Sequence, residues 1–485
     1  MKKPTLPQHY SPSIIFSFLL ILLSLLITSQ GVTASLAIQT DASKSWGTIN
    51  PWLWGTYMGN QAEGATTALI ITELGRDGVF PVSGKADANP DDPAEYNFTE
   101  LDYRIYDATK KGLTPLVKIA NITSTISKYG TEASPPKDYH QYQKMMGNII
   151  RHLTQGWGKG YHLPVKYVEL WNEPDLQAKV FWKGSQEEFY KTYEAAAKGI
   201  KSADSTIAVG GPGFAWIYYT DSEPMIKGFL DYCQKNNVPL DFLSWHQYDL
   251  VPGAYYDKAQ KIDTLLKNYP KLSPLFGKPL SFNTEWNNIV GIIMPQVAAN
   301  FSPMETAAHN ISSIIKMMDG GVSAAYRIPA PPVWPLSAQE VLQKMVRTPQ
   351  RIASTGGDCY GTTSLAGKSK DDKEVQVLVC TYYTGHFIQL KNAMPSDMYS
   401  YQQSLRKRML SFSQNQVESP FSTMILKLDN LPWAGTGKST RILHYQVTES
   451  GITQADSQKL PSTASLSLKY SLQSPSIHLF KAVPE

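Results

Sequence analysis

From about residue 50 to about residue 335 the chain repeats one pattern, a short apolar run followed by a stretch with apolar residues at helical spacing. Runs of four to eight apolar residues suit strands buried on both faces, and such strands belong to parallel sheets covered by helices. The runs are Trp52–Tyr57, Val79–Val82, Pro115–Ala120, Lys166–Trp171, Ile207–Gly210, Phe242–Trp245, Leu280–Thr284 and Ala324–Ile328. Among the intervening segments, Glu100–Lys111 follows Asn97-Phe98-Thr99, and Gln186–Ala203 sets Phe189, Tyr193, Ala196 and Ile200 on one face. Ala307–Met318 has the same spacing and stops before Asp319-Gly320-Gly321. Eight strands alternating with helices predict an α/β chain with a (β/α)8 TIM barrel, a doubly wound open sheet being the alternative.

The pattern changes after about residue 355. Glu374–Tyr383, Met424–Leu428, Thr440–Val447 and Ser476–Phe480 read as strands, separated by turn residues such as Gly435-Thr436-Gly437 and Glu449-Ser450-Gly451. Residues 356–485 are therefore expected to form an accessory all-β sandwich, and 35–355 the barrel. Ser35 to about Thr48 is a candidate to add strands to the sandwich. A length of 485 residues suits this pairing of one large and one smaller domain.

Residues 1–34 read as a separate element. Lys2 and Lys3 precede an apolar stretch, Ile14 to Thr28, and Val32-Thr33-Ala34 supplies small residues at a cleavage point. A membrane span needs about 20 apolar residues, so a cleaved export signal is the expectation and an uncleaved anchor the alternative. The predicted location is therefore secreted or periplasmic, with contact to a membrane only if the segment is retained. Cys233, Cys359 and Cys380 allow at most one disulfide. Neither CxxC nor HExxH occurs, and no metal or cofactor is expected. Asn97, Asn121, Asn300 and Asn310 lie in glycosylation sequons. The net charge is +4 and the strongest basic run is Arg406-Lys407-Arg408, which reads as a solvated turn and not as a nucleic-acid surface.

Two carboxylates stand where a barrel carries its chemistry, at the C-terminal ends of strands. The fourth apolar run ends in Leu170-Trp171-Asn172-Glu173-Pro174-Asp175, and Pro174 stops the strand so that Glu173 sits at its mouth. The seventh ends in Asn283-Thr284-Glu285-Trp286-Asn287. A lone glutamate at a strand end is usually a solvated residue or a helix cap. A pair suits glycosidic bond cleavage, which needs one protonated carboxyl to assist the leaving oxygen and one ionised carboxyl to attack or to activate water.

Several of these segments resemble glycoside hydrolase family 39. They are Trp171-Asn172-Glu173-Pro174-Asp175, Phe181-Trp182, Tyr190 with Tyr193, Gly210-Gly211-Pro212, Asp241-Phe242-Leu243-Ser244-Trp245-His246-Gln247-Tyr248 and Thr284-Glu285-Trp286-Asn287. Tyr96-Asn97-Phe98 with Leu101-Asp102 extends the likeness upstream. The resemblance implies a retaining (β/α)8 hydrolase acting on a carbohydrate, with Glu173 as general acid/base and Glu285 as nucleophile. It implies that Asn172 bonds the sugar 2-hydroxyl, that His246 and Tyr248 line the subsite of cleavage, and that Tyr248 holds the nucleophile ionised. Members include β-xylosidases, iduronidases and endo-acting enzymes on exopolysaccharides, and the motifs do not choose among them.

Aromatic residues crowd the same strand ends. Trp286 is the first choice for a platform that stacks on a sugar ring, with Trp182 also a candidate, and Trp171, Phe181, Trp245 and Trp334 behind them. Tyr218, Tyr219, Tyr255 and Tyr256 fall in expected loops that could shape a cleft. One departure stands out. The family commonly carries an Arg–His element at the end of strand 2, whereas here Arg76 precedes the expected strand Val79–Val82. The other readings are a transglycosidase, which uses the same residues, and a non-catalytic carbohydrate-binding protein, which the presence of both carboxylates disfavours.

Overall fold

The computed structural model describes residues 36–59, 64–176, 180–215, 223–288, 301–329, 333–357, 362–382 and 423–485. The N-terminal apolar segment, Asn300, Cys359, Tyr218, Tyr219 and Arg406-Lys407-Arg408 lie outside them.

Eight parallel strands close into a barrel: β2 (Gly55–Tyr57), β3 (Thr67–Thr72), β4 (Thr114–Ile119), β5 (Tyr167–Leu170), β6 (Ala208–Phe214), β7 (Phe242–Tyr248), β8 (Leu280–Asn287) and β9 (Ala324–Arg327). Seven coincide with expected runs. The second does not: Thr67–Thr72 fills that place, and Val79–Val82 is a loop whose Val79 and Phe80 are buried. Thr67-Ala68-Leu69-Ile70-Ile71-Thr72 is the longer β-branched run and is buried nearly throughout, as a doubly covered strand must be. Arg76 therefore follows the second barrel strand instead of preceding it.

Inside the barrel the side chains form layers. Leu69, Leu116, Ala208, Phe242, Phe282, Ala324 and Tyr326 make one apolar cluster, with Phe242 and Phe282 stacked at 4.4 Å. Removing such a buried ring costs about 3–5 kcal/mol. Two positions further along their strands come Lys118, Ser244 and Thr284, and Glu169 follows Tyr167 in the same way, so a polar layer lies between the apolar plug and the strand mouths.

Amphipathic helices cover the outside, including Thr99–Lys110, Tyr139–Gln155, Gln186–Ala203, Pro252–Leu266 and Pro303–Asp319. Gln186–Ala203 and Pro303–Asp319 each begin in a capping box, Ser185 with Glu188 and Ser302 with Glu305. Tyr255 and Tyr256 belong to the helix Pro252–Leu266 and not to a loop. Asn310 is fully buried in Pro303–Asp319, so its sequon has no exposed amide to glycosylate.

The remaining strands form one nine-stranded sheet. They are β1 (Leu36–Thr48), β10 (Gln350–Thr355), β11 (Thr362–Lys368), β12 (Val375–Thr381), β13 (Thr423–Asp429), β14 (Thr440–Thr448), β15 (Gly451–Leu460), β16 (Ser465–Ser471) and β17 (Ser476–Pro484), in the order β15-β14-β17-β12-β11-β10-β1-β13-β16. The expected boundary at 355 falls at the end of β10, a strand of this sheet, and the opening strand β1 lies between β10 and β13. Its two halves share a core, in which Leu36, Ile38, Met424 and Leu426 join Val377, Ile442 and Phe480. Strand β12 alternates between two cores. Val375, Val377 and Val379 enter the sandwich, while Leu378 and Cys380 join the barrel cluster. Cys380 Sγ approaches the Ala308 carbonyl at 3.2 Å, which seats the sheet on helix Pro303–Asp319. Cys233 and Cys380 are both buried free thiols.

Candidate active site

A cleft of about 450 Å³ opens at the C-terminal ends of the barrel strands, lined among others by Tyr57, Glu73, Lys118, Asn172, Glu173, Phe181 and Glu285. Glu173 follows a sharp turn out of β5. Trp171 and Glu173 have φ of 76° and 45°, in the left-handed region that costs a non-glycine residue about 1–3 kcal/mol. Trp171 Nε1 donates to the Phe181 carbonyl at 2.8 Å, and the Glu173 amide donates to the Gly213 carbonyl at 3.1 Å. These bonds hold the turn that brings Asn172 and Glu173 into the cleft.

A bulge presents Glu285. Trp245 pairs with Asn283 and His246 with Glu285, so Thr284 is one residue more than β7 can match. Thr284 and Glu285 both face the interior as a result: Thr284 Oγ1 donates to buried Glu169 at 2.8 Å, and Glu285 lines the cleft. Trp286 is turned outward. It is fully buried and meets Tyr255 edge-on at 5.8 Å, so the expected sugar platform is core. Trp182 is likewise structural. It packs edge-on against Trp171 at 5.1 Å, and its Nε1 donates to the Ser185 carbonyl at 3.0 Å beside the helix cap. Trp171, Trp245 and Trp334 are also buried, whereas Phe181 lines the cleft.

His246 is 1% exposed, so it lies beneath the cleft and does not line it as expected. Its Nδ1 is 2.7 Å from Glu173 Oε1 and 3.9 Å from Glu285 Oε2. Tyr248 Oη donates to Glu285 Oε1, the contact expected from the motif. One donor atom each from Glu173, His246 and Glu285 lie within 4.8 Å of one another. These donor types also suit a divalent cation, but here they are engaged with each other and with Tyr248.

Burial pushes the Glu173 carboxyl up to about 7, against the opposing charges of Lys118 and Lys258. Burial likewise holds His246 down to about 4, leaving it neutral near pH 7. The Tyr248 phenol is raised well above its ordinary value by burial and then by the charge of Glu285, so it remains a proton donor.

Other residues of the site escaped the motif reading. Tyr57 ends the first barrel strand and Glu73 follows the second, and both line the cleft with Glu132. Arg76 is exposed and pairs with Glu73 at 2.9 Å. Lys118 and Glu169 carried a readable signal, since each is a charged residue on the inward face of a barrel strand.

Residues 84–324 match the model of glycosyl hydrolases family 39. The matched stretch, just under half of the chain, belongs to this family. A β-xylosidase of Caldicellulosiruptor saccharolyticus is 33% identical over 218 residues, 41% of this chain and 42% of that protein. One from Geobacillus stearothermophilus is 30% identical over 241 residues, 48% of this chain and 44% of that protein. The chain thus spans less than half the length of these curated relatives. A solved glucosidase from Croceicoccus marinus superposes with a TM-score of 0.69 at 21% identity, covering 93% of this chain and 99% of that one. That likeness concerns the fold alone, a barrel joined to a β-sandwich.

Proposed function

We propose that this protein is an exported retaining glycosidase that cleaves a β-linked oligo- or polysaccharide by double displacement. The carrying observation is the spacing of the two carboxylates, with one oxygen of Glu173 and one of Glu285 within 4.8 Å. Retaining enzymes hold the pair about 5–5.5 Å apart, whereas inverting ones leave about 6.5–9.5 Å for a water. In the first step a Glu285 oxygen attacks the anomeric carbon as Glu173 gives its proton to the departing glycosidic oxygen. The bond to the leaving group breaks and a glycosyl ester on Glu285 forms. Glu173, now ionised, then takes a proton from water as that water attacks the anomeric carbon and frees Glu285. Tyr248 holds one oxygen of the nucleophile. Asn172, in the cleft beside Glu173, suits a contact with the sugar 2-hydroxyl.

The reading is tested by NMR of the first-formed product from an aryl β-xyloside, chosen because two relatives are β-xylosidases. The expected product is the β-anomer, and an α-anomer formed first excludes double displacement. Export rests on the N-terminal segment. Secretion of the mature chain beginning near Ser35 is the expected result of expressing the full sequence with its leader.

The cleft wall also bears on the sugar. Glu73 and Glu132 both line it, and burial together with the charge of Glu73 raises the Glu132 carboxyl. A uronate would bring a further negative charge against this wall, and such juxtapositions disfavour binding by several kcal/mol when desolvated. Neutral aryl glycosides are expected to exceed the matching uronides at least about tenfold in kcat/KM, which corresponds to about 1.4 kcal/mol. Glu73→Gln with Glu132→Gln should narrow that ratio. An unchanged ratio in the double variant removes the wall from the account of specificity.

A further inference from the structure

Beneath the two cleft carboxylates lies a second charged pair that the two displacement steps do not use. Lys118 Nζ is 3.5 Å from Glu169 Oε1, and both side chains are almost wholly buried. Glu169 Oε1 also accepts from Ser244 Oγ at 2.7 Å and Thr284 Oγ1 at 2.8 Å. Lys118 Nζ lies 3.4 Å from His246 Nε2. Gly213 closes the group. Its φ is +66°, its amide donates to Ser244 Oγ at 2.7 Å, and a Cβ there would stand 2.8 Å from His246 Nε2 and 3.2 Å from Lys118 Nζ. The backbone has thus left room for a lysine and a histidine to meet.

An ammonium group only donates, so the His246 Nε2 it faces must present a lone pair. The neutral ring then carries its proton on Nδ1, and that N–H points at Glu173 Oε1 at 2.7 Å. We infer that Lys118 is a positioning residue, which fixes the Nδ1–H tautomer of His246 and through it orients and tunes Glu173. This rests on the reading of Glu173 as the acid/base. With Oε1 held by His246, Oε2 carries the transferable proton. When that proton leaves with the aglycone, the new carboxylate meets the Nδ1–H donor and the Lys118 charge, and the same contacts are in place when Glu173 takes a proton from water.

Glu173 is faced by His246, Lys118, Lys258, Glu285, Tyr57 and Tyr248. His246 is faced by Glu285, Lys118, Glu169 and Lys258 as well as by Glu173, and its carbonyl accepts from Lys258 Nζ at 2.7 Å. Removal of the Lys118 charge should raise the Glu173 carboxyl, and removal of the Glu169 charge should lower it, because Lys118 is then uncompensated.

The test uses the full chain with Lys118→Met, Glu169→Gln and the double variant, which removes both charges and so leaves no lone buried ion. The basic limb of kcat/KM for an aryl β-xyloside is expected to move up by about one pH unit in Lys118→Met, and to move down in Glu169→Gln. The double variant, which removes two charges of opposing effect, should fall between the two single variants. A role in packing alone lowers the rate at every pH and leaves the limb in place in all three, and that result overturns the inference. A second readout does not need turnover. Nitrogen NMR of histidine-labelled protein, with His246 assigned by its loss in His246→Gln, should show the Nδ1–H form in the wild type and its loss in Lys118→Met or the double variant. Retention of Nδ1–H without Lys118 also refutes it. Inactivity of the wild type on every aryl glycoside would count against the glycosidase reading, and the tautomer measurement would still decide the role of Lys118.

Discussion

Glu285→Gln is expected to fold like the wild type and to lose turnover by roughly four orders of magnitude or more, the scale on which removing a covalent nucleophile acts. The amide keeps the size of the carboxylate, and its oxygen can still accept from Tyr248 Oη, so the β8 bulge and its contacts remain. It lacks the anionic oxygen that must bond to the anomeric carbon, and water cannot replace it because the pair is too close to admit one. Thermal unfolding by circular dichroism together with kcat on an aryl β-xyloside checks both parts. Activity within tenfold of the wild type in a folded variant would sink the assignment of Glu285.

Glu173→Ala should divide substrates by their leaving groups. Alkyl glycosides and natural linkages need the proton of Glu173 and should slow by about 10²–10⁴. An activated aryl glycoside departs as a weak base and should lose far less in the first step. The glycosyl ester then awaits a nucleophile without its base. Added azide, which needs no deprotonation and fits the space left by the carboxyl, should restore rate and give a β-glycosyl azide if the bond cleaved is β. The pH profile should change in the same variant. In the wild type the acid form of Glu173 is lost as pH rises through about 7, so kcat/KM should fall above that pH. That limb should vanish from Glu173→Ala with an activated substrate. An equal loss on all leaving groups, with no effect of azide, points to a structural role.

Both predictions rest on residues that the amino-acid sequence singles out. Each glutamate closes an apolar run, Glu173 before a proline and Glu285 three runs later, and strand ends of this kind are where a barrel carries its chemistry. The same arithmetic of runs and helical spacing predicted seven of the eight barrel strands. It failed at the second because Val79-Phe80 is as apolar as a strand, yet is buried by packing under a loop instead of by sheet pairing.

The aromatic expectations failed for a different reason. Strict alternation from inward-facing Phe282 sends Thr284 and Trp286 into the barrel and Glu285 out of it. One unmatched residue in β8 reverses this beyond Thr284, so the carboxylate enters the cleft and the indole enters the core. No pattern within Leu280–Asn287 reveals the extra residue, because it exists only relative to the partner strand. Tyr57 and Glu73 went unseen on similar grounds, since each comes from a different strand and only closure of the barrel brings them to one cleft.

The sequence by itself thus pointed to a barrel with an accessory β domain and singled out the two carboxylates, because periodicity and strand ends are local properties of a chain. The tertiary structure alone decided which way Glu285 and Trp286 point. It also brought Lys118 and Glu169 together beneath His246, because register and burial are set between strands and only there does a buried charge find its partner.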